Sequence, residues 1–223
     1  MIDPVARCAR PAALALCVAL VASSCASRGA PANATRAATS RVPTQTPAAR
    51  PAPSVVPSDT SIPDSECAPL KVRLIDDPPG FAPVELDAPW SCFGAGRIAA
   101  SNQQAARELV ADGFIQAYEG TWLASEKDSI DVTLYQFTSD AGAATFASTT
   151  SHLAPRQAAK ASTFTVPGVP IRSALVTSSS KGIGAEILIQ RGPIVAQIAA
   201  TGTSRSATVS RAVGIATQQY PLL

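Results

Sequence analysis

The chain has 223 residues, 46% of them hydrophobic, and its 18 Lys and Arg against 16 Asp and Glu give a formal net charge of +2. From residue 67 onward the charges balance at 12 basic and 12 acidic side chains, with no block of one sign. Nucleic-acid binding requires a basic stripe or patch, so this balance argues against a nucleic-acid partner. A single histidine and five scattered cysteines leave few side chains for metal ligation or for a nucleophilic relay.

The N-terminal residues predict a secretory signal that ends at a cysteine. Arg7 and Arg10 precede a charge-free run of 14 residues, 11–24, whose last three residues are small. A basic start, a short apolar stretch and a small-residue exit are the parts of a signal peptide. Because Cys25 directly follows that exit, residues 1–24 resemble a bacterial lipoprotein signal, in which the cysteine carries the lipid and becomes the mature N-terminus.

Two alternatives to lipidation stay open at this point. Lipoprotein signals usually carry Leu three residues before the cysteine, and this chain has Ala22, so a conventional signal cut near Ala22 or Ala26 is one alternative. An uncleaved anchor is the other, but a helix that crosses the hydrocarbon core needs about 20 apolar residues. The charge-free run is shorter than that, which favours cleavage and lipidation of Cys25.

Residues 25–66 are predicted to form a lipidated cysteine followed by a disordered tether. Between residues 26 and 66 there are seven prolines and no Leu, Phe, Tyr or Trp, and the remainder is mostly Ala, Ser and Thr. Such a segment has too little apolar surface to offset the entropy lost on ordering, so it is expected to stay extended. It would hold a folded domain away from a bilayer on its extracytoplasmic side.

Residues 67–223 are predicted to form a single globular domain of ordinary size. Cys67 and Cys92 are the two cysteines that remain after the signal and Cys25. An isolated pair in an oxidising compartment most often forms a disulfide. This bridge would close a loop of about 25 residues and stabilise the fold by about 3 kcal/mol in the chain-entropy treatment.

The first half of the domain predicts a helix, two strands and a second helix. Ser101 and Gln104 have the spacing of a capping box, and Asp112–Gly113 would end that helix. Alternation predicts strands over 114–123 and 130–135. Ser139 or Asp140 would cap the second helix, which Pro155 would stop.

The second half predicts short strands over 163–166 and 173–177, then a hairpin of 185–190 and 194–200 turned at Arg191–Gly192. Ser204 would cap a final helix. The hairpin is expected at the sheet centre, with Ile187 and Ile189 opposite Leu188, and with Phe146 and Val213 near one apolar set. The predicted fold class is therefore α+β, an antiparallel twisted sheet of about 5–6 strands with about three packed helices.

Five features could carry chemistry, and for each a structural role is the stronger interpretation. The segment 94–99 fits a G-x-G-x-x-A fingerprint, but a loop precedes it where a nucleotide site needs a buried strand. The lone histidine is predicted near a helix end. That histidine is His152. The remaining three features are an acidic turn, the start of a helix at 201–204 and a set of aromatic rings. The acidic turn contains Glu126, Asp128 and Asp131; the helix start contains Thr201, Gly202, Thr203 and Ser204; and the aromatic rings are those of Phe93, Trp90, Tyr118 and Trp122. No catalytic, cofactor or metal residue is assigned, and no cofactor is expected.

A longer series of short segments resembles small exported lipoproteins of mycobacteria and related actinobacteria. The series is Pro79-Gly80-Phe81, Gly113-Phe114, Trp122, Val132 with Phe137, Ala143-Ala144, Phe164-Thr165-Val166-Pro167-Gly168-Val169-Pro170 and Arg191-Gly192. The resemblance implies an envelope location and an α+β fold, and it carries over no active-site residue.

The sequence therefore predicts a membrane-anchored extracytoplasmic lipoprotein that acts as a binding or interaction module. Its partners would be the membrane, through the lipid, and a small-molecule, lipid or protein ligand. A cell-envelope hydrolase or transferase is the alternative, and the missing catalytic motifs weigh against it.

Overall fold

The computed structural model describes residues 67–84, 92–157, 161–180 and 182–223, with the backbone alone at 101 and 152–157. The predicted signal peptide, Cys25 and the tether lie outside these residues. So do Trp90 and the side chain of His152. No helix within the described ranges is long and apolar enough to cross a membrane.

The described ranges contain eight strands, five α-helices and a short 3₁₀ helix. The strands are β1 Ala82–Pro83, β2 Cys92–Phe93, β3 Phe114–Ser125, β4 Asp128–Phe137, β5 Ala161–Thr163, β6 Ile171–Ser179, β7 Gly182–Arg191 and β8 Ile194–Gly202. The helices are α1 Ala68–Lys71, α2 Ala95–Ser101, α3 Gln103–Ala111, α4 Asp140–Gln157 and α5 Arg205–Gln219, followed by the 3₁₀ helix Tyr220–Leu222. The predicted α+β class is confirmed, and the numbers of strands and helices exceed the prediction.

All strands pair antiparallel in one sheet, in the order β1-β3-β4-β8-β7-β6-β5. The short strand β2 pairs with the same edge of β3 as β1 does, opposite residues 117–118. The β7–β8 hairpin lies in the middle of this order, as its alternating apolar residues predict. Its strands meet at Arg191 and Ile194, so the turn is Gly192–Pro193, one residue later than the predicted Arg191–Gly192. Gly192 has a positive φ of 59°, which glycine adopts readily.

One face of the sheet, here the α5 face, is apolar. Ile187 on β7 lies opposite Ile198 on β8, which lies opposite Val132 on β4, and all three are fully buried. Val213 of α5 packs against this cluster, as does Tyr220. Gln219 closes the end of the layer, since its amide donates to the carbonyl of Arg73 at 2.7 Å and accepts from the amide of Ile75 at 3.3 Å.

The opposite face, here the α4 face, has a smaller apolar cluster at one end. Leu188 and Val195 of the hairpin join Phe137 and the alanines of α4 in that cluster, and Phe146 packs against it. The prediction that Phe146 and Val213 lie near one apolar set is therefore wrong. Alternate residues of a strand point to opposite faces, and α4 and α5 cover different faces of the sheet.

Two predicted helix boundaries are also wrong. The cap of α3 is Asn102, whose side chain accepts from the amide of Ala105 at 3.0 Å, and Ser101 is the last residue of α2. Helix α4 continues past Pro155 to Gln157. A proline removes one helical hydrogen bond without forbidding the helix, so packing can retain it near a helix end.

The Cys67–Cys92 disulfide forms, with the Cα atoms 5.8 Å apart and both residues fully buried. It joins α1 to β2, and β2 leads directly into α2 through Gly94. The bond therefore fixes the place at which α2 leaves the edge of β3 and crosses onto the α4 face.

Candidate functional site

Beyond the apolar cluster, the α4 face carries a group of polar side chains on four adjacent strands, which we call the polar floor. Its members on β3, β4, β8 and β7 are Glu119, Thr121, Ser129, Asp131, Thr133, Tyr135, Gln197 and Glu186, and Arg97 of α2 lies against it. Most of these side chains are half-buried. A sheet face that is packed against helices is usually apolar, so the presence of these polar side chains needs an explanation.

The aromatic side chain of Tyr135 marks the closed end of the polar floor. Its ring centroid lies 6.5 Å from that of Phe93 on β2 and 4.9 Å from that of Phe146 on α4. An aromatic ring from β2 and one from α4 therefore both pack against Tyr135. The polar floor extends from this ring along β4 toward Asp131 and Ser129.

A chain of hydrogen bonds crosses three strands from Tyr135. The hydroxyl of Tyr135 donates to Oε1 of Gln197 at 3.0 Å, and Nε2 of Gln197 donates to Oε1 of Glu186 at 3.2 Å. Because the amide accepts at one end and donates at the other, these two bonds fix its orientation. The chain runs in one direction and ends at the carboxylate of Glu186.

Arg97 and Glu119 form an ion pair at the β3 side of the polar floor. Nη2 of Arg97 lies 3.5 Å from Oε2 of Glu119, and the two side chains are 23% and 26% exposed. The guanidinium also lies over the ring of Phe93, 4.5 Å from its centroid. Arg97 is thus held between an aromatic ring and a carboxylate, and it links α2 to the sheet.

Asp131 is held by two hydroxyl groups. Thr121 donates to Oδ1 at 2.8 Å from the neighbouring strand, and Ser129 donates to Oδ2 at 3.4 Å from the same strand. Among the described residues, every buried side-chain nitrogen and oxygen has a hydrogen-bond partner. The buried polar atoms of the polar floor therefore all have partners, and its outer surface stays in contact with solvent.

Burial raises the pKa of all three carboxyl groups of the polar floor. For Glu119 the guanidinium of Arg97 opposes this rise, and the negative charge of Asp131 adds to it. For Asp131 the hydroxyls of Thr121 and Ser129 oppose it, and for Glu186 the amide of Gln197 does so. Burial and the nearby carboxylates likewise raise the pKa of Tyr135, and burial lowers the pKa of Arg97. Titratable groups perturbed in this way cluster at functional sites more often than elsewhere.

A concave region lies on the α5 face at the β3 edge. It has a volume of about 940 Å³ and is lined by Lys71, Val72 and residues 74–77, by Pro83 and Val84, and by β3 around Trp122. The indole nitrogen of Trp122 donates to Oδ1 of Asp77 at 2.8 Å across it. The hydrogen-bonded network of titratable groups with shifted pKa values lies at the polar floor, which is therefore the better candidate for a site.

Most of the features that the sequence singled out have structural roles. Asp128 lies on the α5 face and pairs with Arg211 at 3.2 Å, whereas Asp131 lies on the α4 face, so the predicted acidic turn is not one cluster. Among the described side chains no three His, Cys, Asp or Glu residues are placed to hold a metal ion. Gly202 packs against Thr208 at the start of α5, and Thr201 bonds to Ser129 at 2.9 Å. The segment 94–99 opens α2 after the two-residue strand β2.

Of the members of the polar floor, only Asp131 was singled out from the sequence, as part of an acidic turn. One signal was present, since Glu186 stands between Ala185 and Ile187 in a strand predicted to lie at the sheet centre. An acid in such a strand is rare unless it has a partner or a function. The residues bonded in series with Glu186, Gln197 and Tyr135, lie on other strands. The register that brings the three together cannot be deduced from the sequence of any one strand.

Comparisons with known proteins do not assign this chain to a family. No family model matches it, and no curated protein matches it with significance. The extracellular domain of PknH from Mycobacterium tuberculosis is a similar solved structure, with 9% identity and a TM-score of 0.39. The similarity covers 51% of this chain and 68% of that one. It is too low to support a conclusion about fold or function.

Proposed function

We propose that this protein is a lipid-anchored extracytoplasmic binding module, and that it binds a small polar ligand at the polar floor. The observation that carries the binding function is the polar floor itself. The anchor is supported by Cys25 after a signal-like segment, by the proline-rich tether, and by the resemblance to exported actinobacterial lipoproteins.

Energetics favour a functional origin for the polar floor. Removing a carboxylate from water is costly, and burial of this kind raises the pKa of Glu119, Asp131 and Glu186. Apolar side chains at these strand positions would extend the neighbouring cluster of Leu188 and Val195 and bury more apolar area. A protein that keeps such groups at the expense of stability generally uses them.

Geometry favours a ligand of modest size. The polar floor spans four strands, which is about 15 Å at the usual spacing between neighbouring strands. Carboxylate, amide, hydroxyl and guanidinium groups face the same side of the sheet within that width. A few placed polar groups beside aromatic rings are typical of small-molecule sites.

A hydrolase is the second candidate, and the observation that favours it is the proximity of Glu119 to Asp131. Two interacting carboxyls with raised pKa can divide the roles of general acid and general base. Here, however, one carboxyl is paired with Arg97 and the other accepts from two hydroxyls. These contacts hold both groups in place, which suits binding better than proton transfer.

The test is retention of a ligand by the exported full chain. The protein is incubated with a small-molecule extract of its host, separated by gel filtration in a non-ionic detergent, and its bound compounds are identified by mass spectrometry. We expect a compound that the parent retains and that Glu119→Gln and Glu186→Gln lose. Glu126→Gln is the control, because Glu126 is an exposed acid in the β3–β4 turn. Equal retention by the parent and by both floor variants would refute the polar floor as the site.

A further inference from the structure

We infer that the ligand of the polar floor presents an ammonium group to Glu186, above Ala199 and between the carboxyls of Glu186 and Asp131. This inference rests on the binding function proposed above and adds the chemical class of the ligand. Three observations support it: the direction of the hydrogen bonds in the polar floor, a gap above Ala199 between two carboxyls, and the balance of charge among the described side chains.

The donors of the polar floor point inward. Tyr135 donates to Gln197, and Gln197 donates to Glu186. Thr121 and Ser129 both donate to Asp131. Each of these series of bonds ends at a carboxylate, Glu186 in the first and Asp131 in the second, and a carboxylate can accept about four hydrogen bonds in all. The remaining lone pairs of Glu186 and Asp131 can be satisfied only by donors, so a ligand that binds them must supply N–H or O–H groups.

The register leaves a gap between these two carboxylates. Ala199 of β8 lies opposite Asp131 of β4 on one side and opposite Glu186 of β7 on the other. Two strand spacings place the backbones of Asp131 and Glu186 about 10 Å apart. Ala199 ends at its methyl group and is half-buried, whereas the side chains of both neighbours extend further from the sheet. The space above that methyl group, with an acceptor on each side, suits a small group that donates in more than one direction.

Charge decides between an ammonium group and a hydroxyl group. The polar floor holds three carboxyls and one guanidinium, and Arg97 is already paired with Glu119 at the other side. Asp131 and Glu186 have only neutral partners among the described side chains. A hydroxyl ligand would bring no positive charge to either carboxylate. An ammonium group compensates them and donates up to three hydrogen bonds, and such charge-assisted bonds are about twice as strong as neutral ones.

Isothermal titration calorimetry of the exported full chain in a non-ionic detergent tests this inference with matched probes. The probes are 1,4-diaminobutane, its neutral counterpart 1,4-butanediol, and succinate as the anion. We expect the diamine to bind at least tenfold more tightly than the diol and succinate not to bind. Glu186→Gln should weaken diamine binding by tenfold or more. Ala199→Leu should weaken it similarly by filling the gap, without any change in charge.

Glu126→Gln removes an exposed acid from the turn and should leave the affinity for the diamine unchanged. A diol that binds as tightly as the diamine would overturn the ammonium inference, as would a diamine affinity that Glu186→Gln leaves intact. The absence of binding by the diamine would also overturn it. Thermal melts of each variant separate lost binding from lost folding. The extract experiment stays independent, because a neutral or anionic compound held at the polar floor would support the proposed function and refute the ammonium group.

Discussion

The substitution Ile198→Asp tests the orientation of the whole sheet. Ile198 is 0% exposed and lies between Val132 on β4 and Ile187 on β7, beneath α5. Truncating a buried isoleucine costs about 2–5 kcal/mol. A buried charge without a partner costs about 3–5 kcal/mol more. The total stability of a domain is about 5–15 kcal/mol, so this change removes most of it.

Urea denaturation of the full chain, followed by tryptophan fluorescence, measures the effect. We expect the Ile198→Asp variant to show no cooperative transition at 25 °C. Thr203→Asp is the matched control, since Thr203 is exposed just after the same strand and close to the start of α5, where an acid is favourable. A cooperative Ile198→Asp variant with a near-native midpoint would show that Ile198 does not face the core.

Three further outcomes are expected. Replacing Cys25 with Ala should move the protein from the membrane fraction to the soluble or secreted fraction, and an unmodified N-terminus in a parent that still stays in the membrane would contradict this. Reduction of the Cys67–Cys92 bond should lower the free energy of unfolding by about 3 kcal/mol, and thiol labelling of both cysteines in the native exported protein would rule the bond out. Glu186→Gln should be more stable than the parent, and the difference should grow as the pH rises from 4 to 7. Burial raises the pKa of Glu186 in the folded state, so as the pH rises the unfolded chain loses the carboxyl proton first. The parent therefore loses stability relative to the Glu186→Gln variant once the pH exceeds the ordinary pKa of a glutamate. A stability difference that shrinks as the pH rises would refute this.

Long alternating strands could be predicted from the sequence because each carries its own signal. The alternation of Ile130, Val132 and Leu134 with polar residues marks β4, and the apolar runs on both sides of Gly192 mark the central hairpin. Each of these strands has enough residues for period two to stand out. The α+β class follows from these strands together with the helices between and after them.

The edge elements could not be predicted because their own sequences do not determine them. Strands β1 and β2 have two residues each, and they are strands only because both pair with the outer edge of β3. Helix α2 begins at Ala95 after Gly94 and contains Gly96, and glycines of this kind favour a loop. Its position depends on the disulfide at Cys92 and on the ion pair of Arg97 with Glu119, which are contacts between segments distant in sequence.

The polar floor was missed for the same reason, and its position explains how one hairpin can provide both stability and a site. Ile187 and Ile198 face the core, while their neighbours Glu186 and Gln197 face the polar floor. Successive residues of a strand point to opposite faces, so a slip of one residue would exchange the two sets. The buried isoleucines make such a slip costly and thereby fix the register of the polar residues. Substitutions in the polar floor should therefore change binding with the fold retained, whereas substitutions one residue away should abolish both.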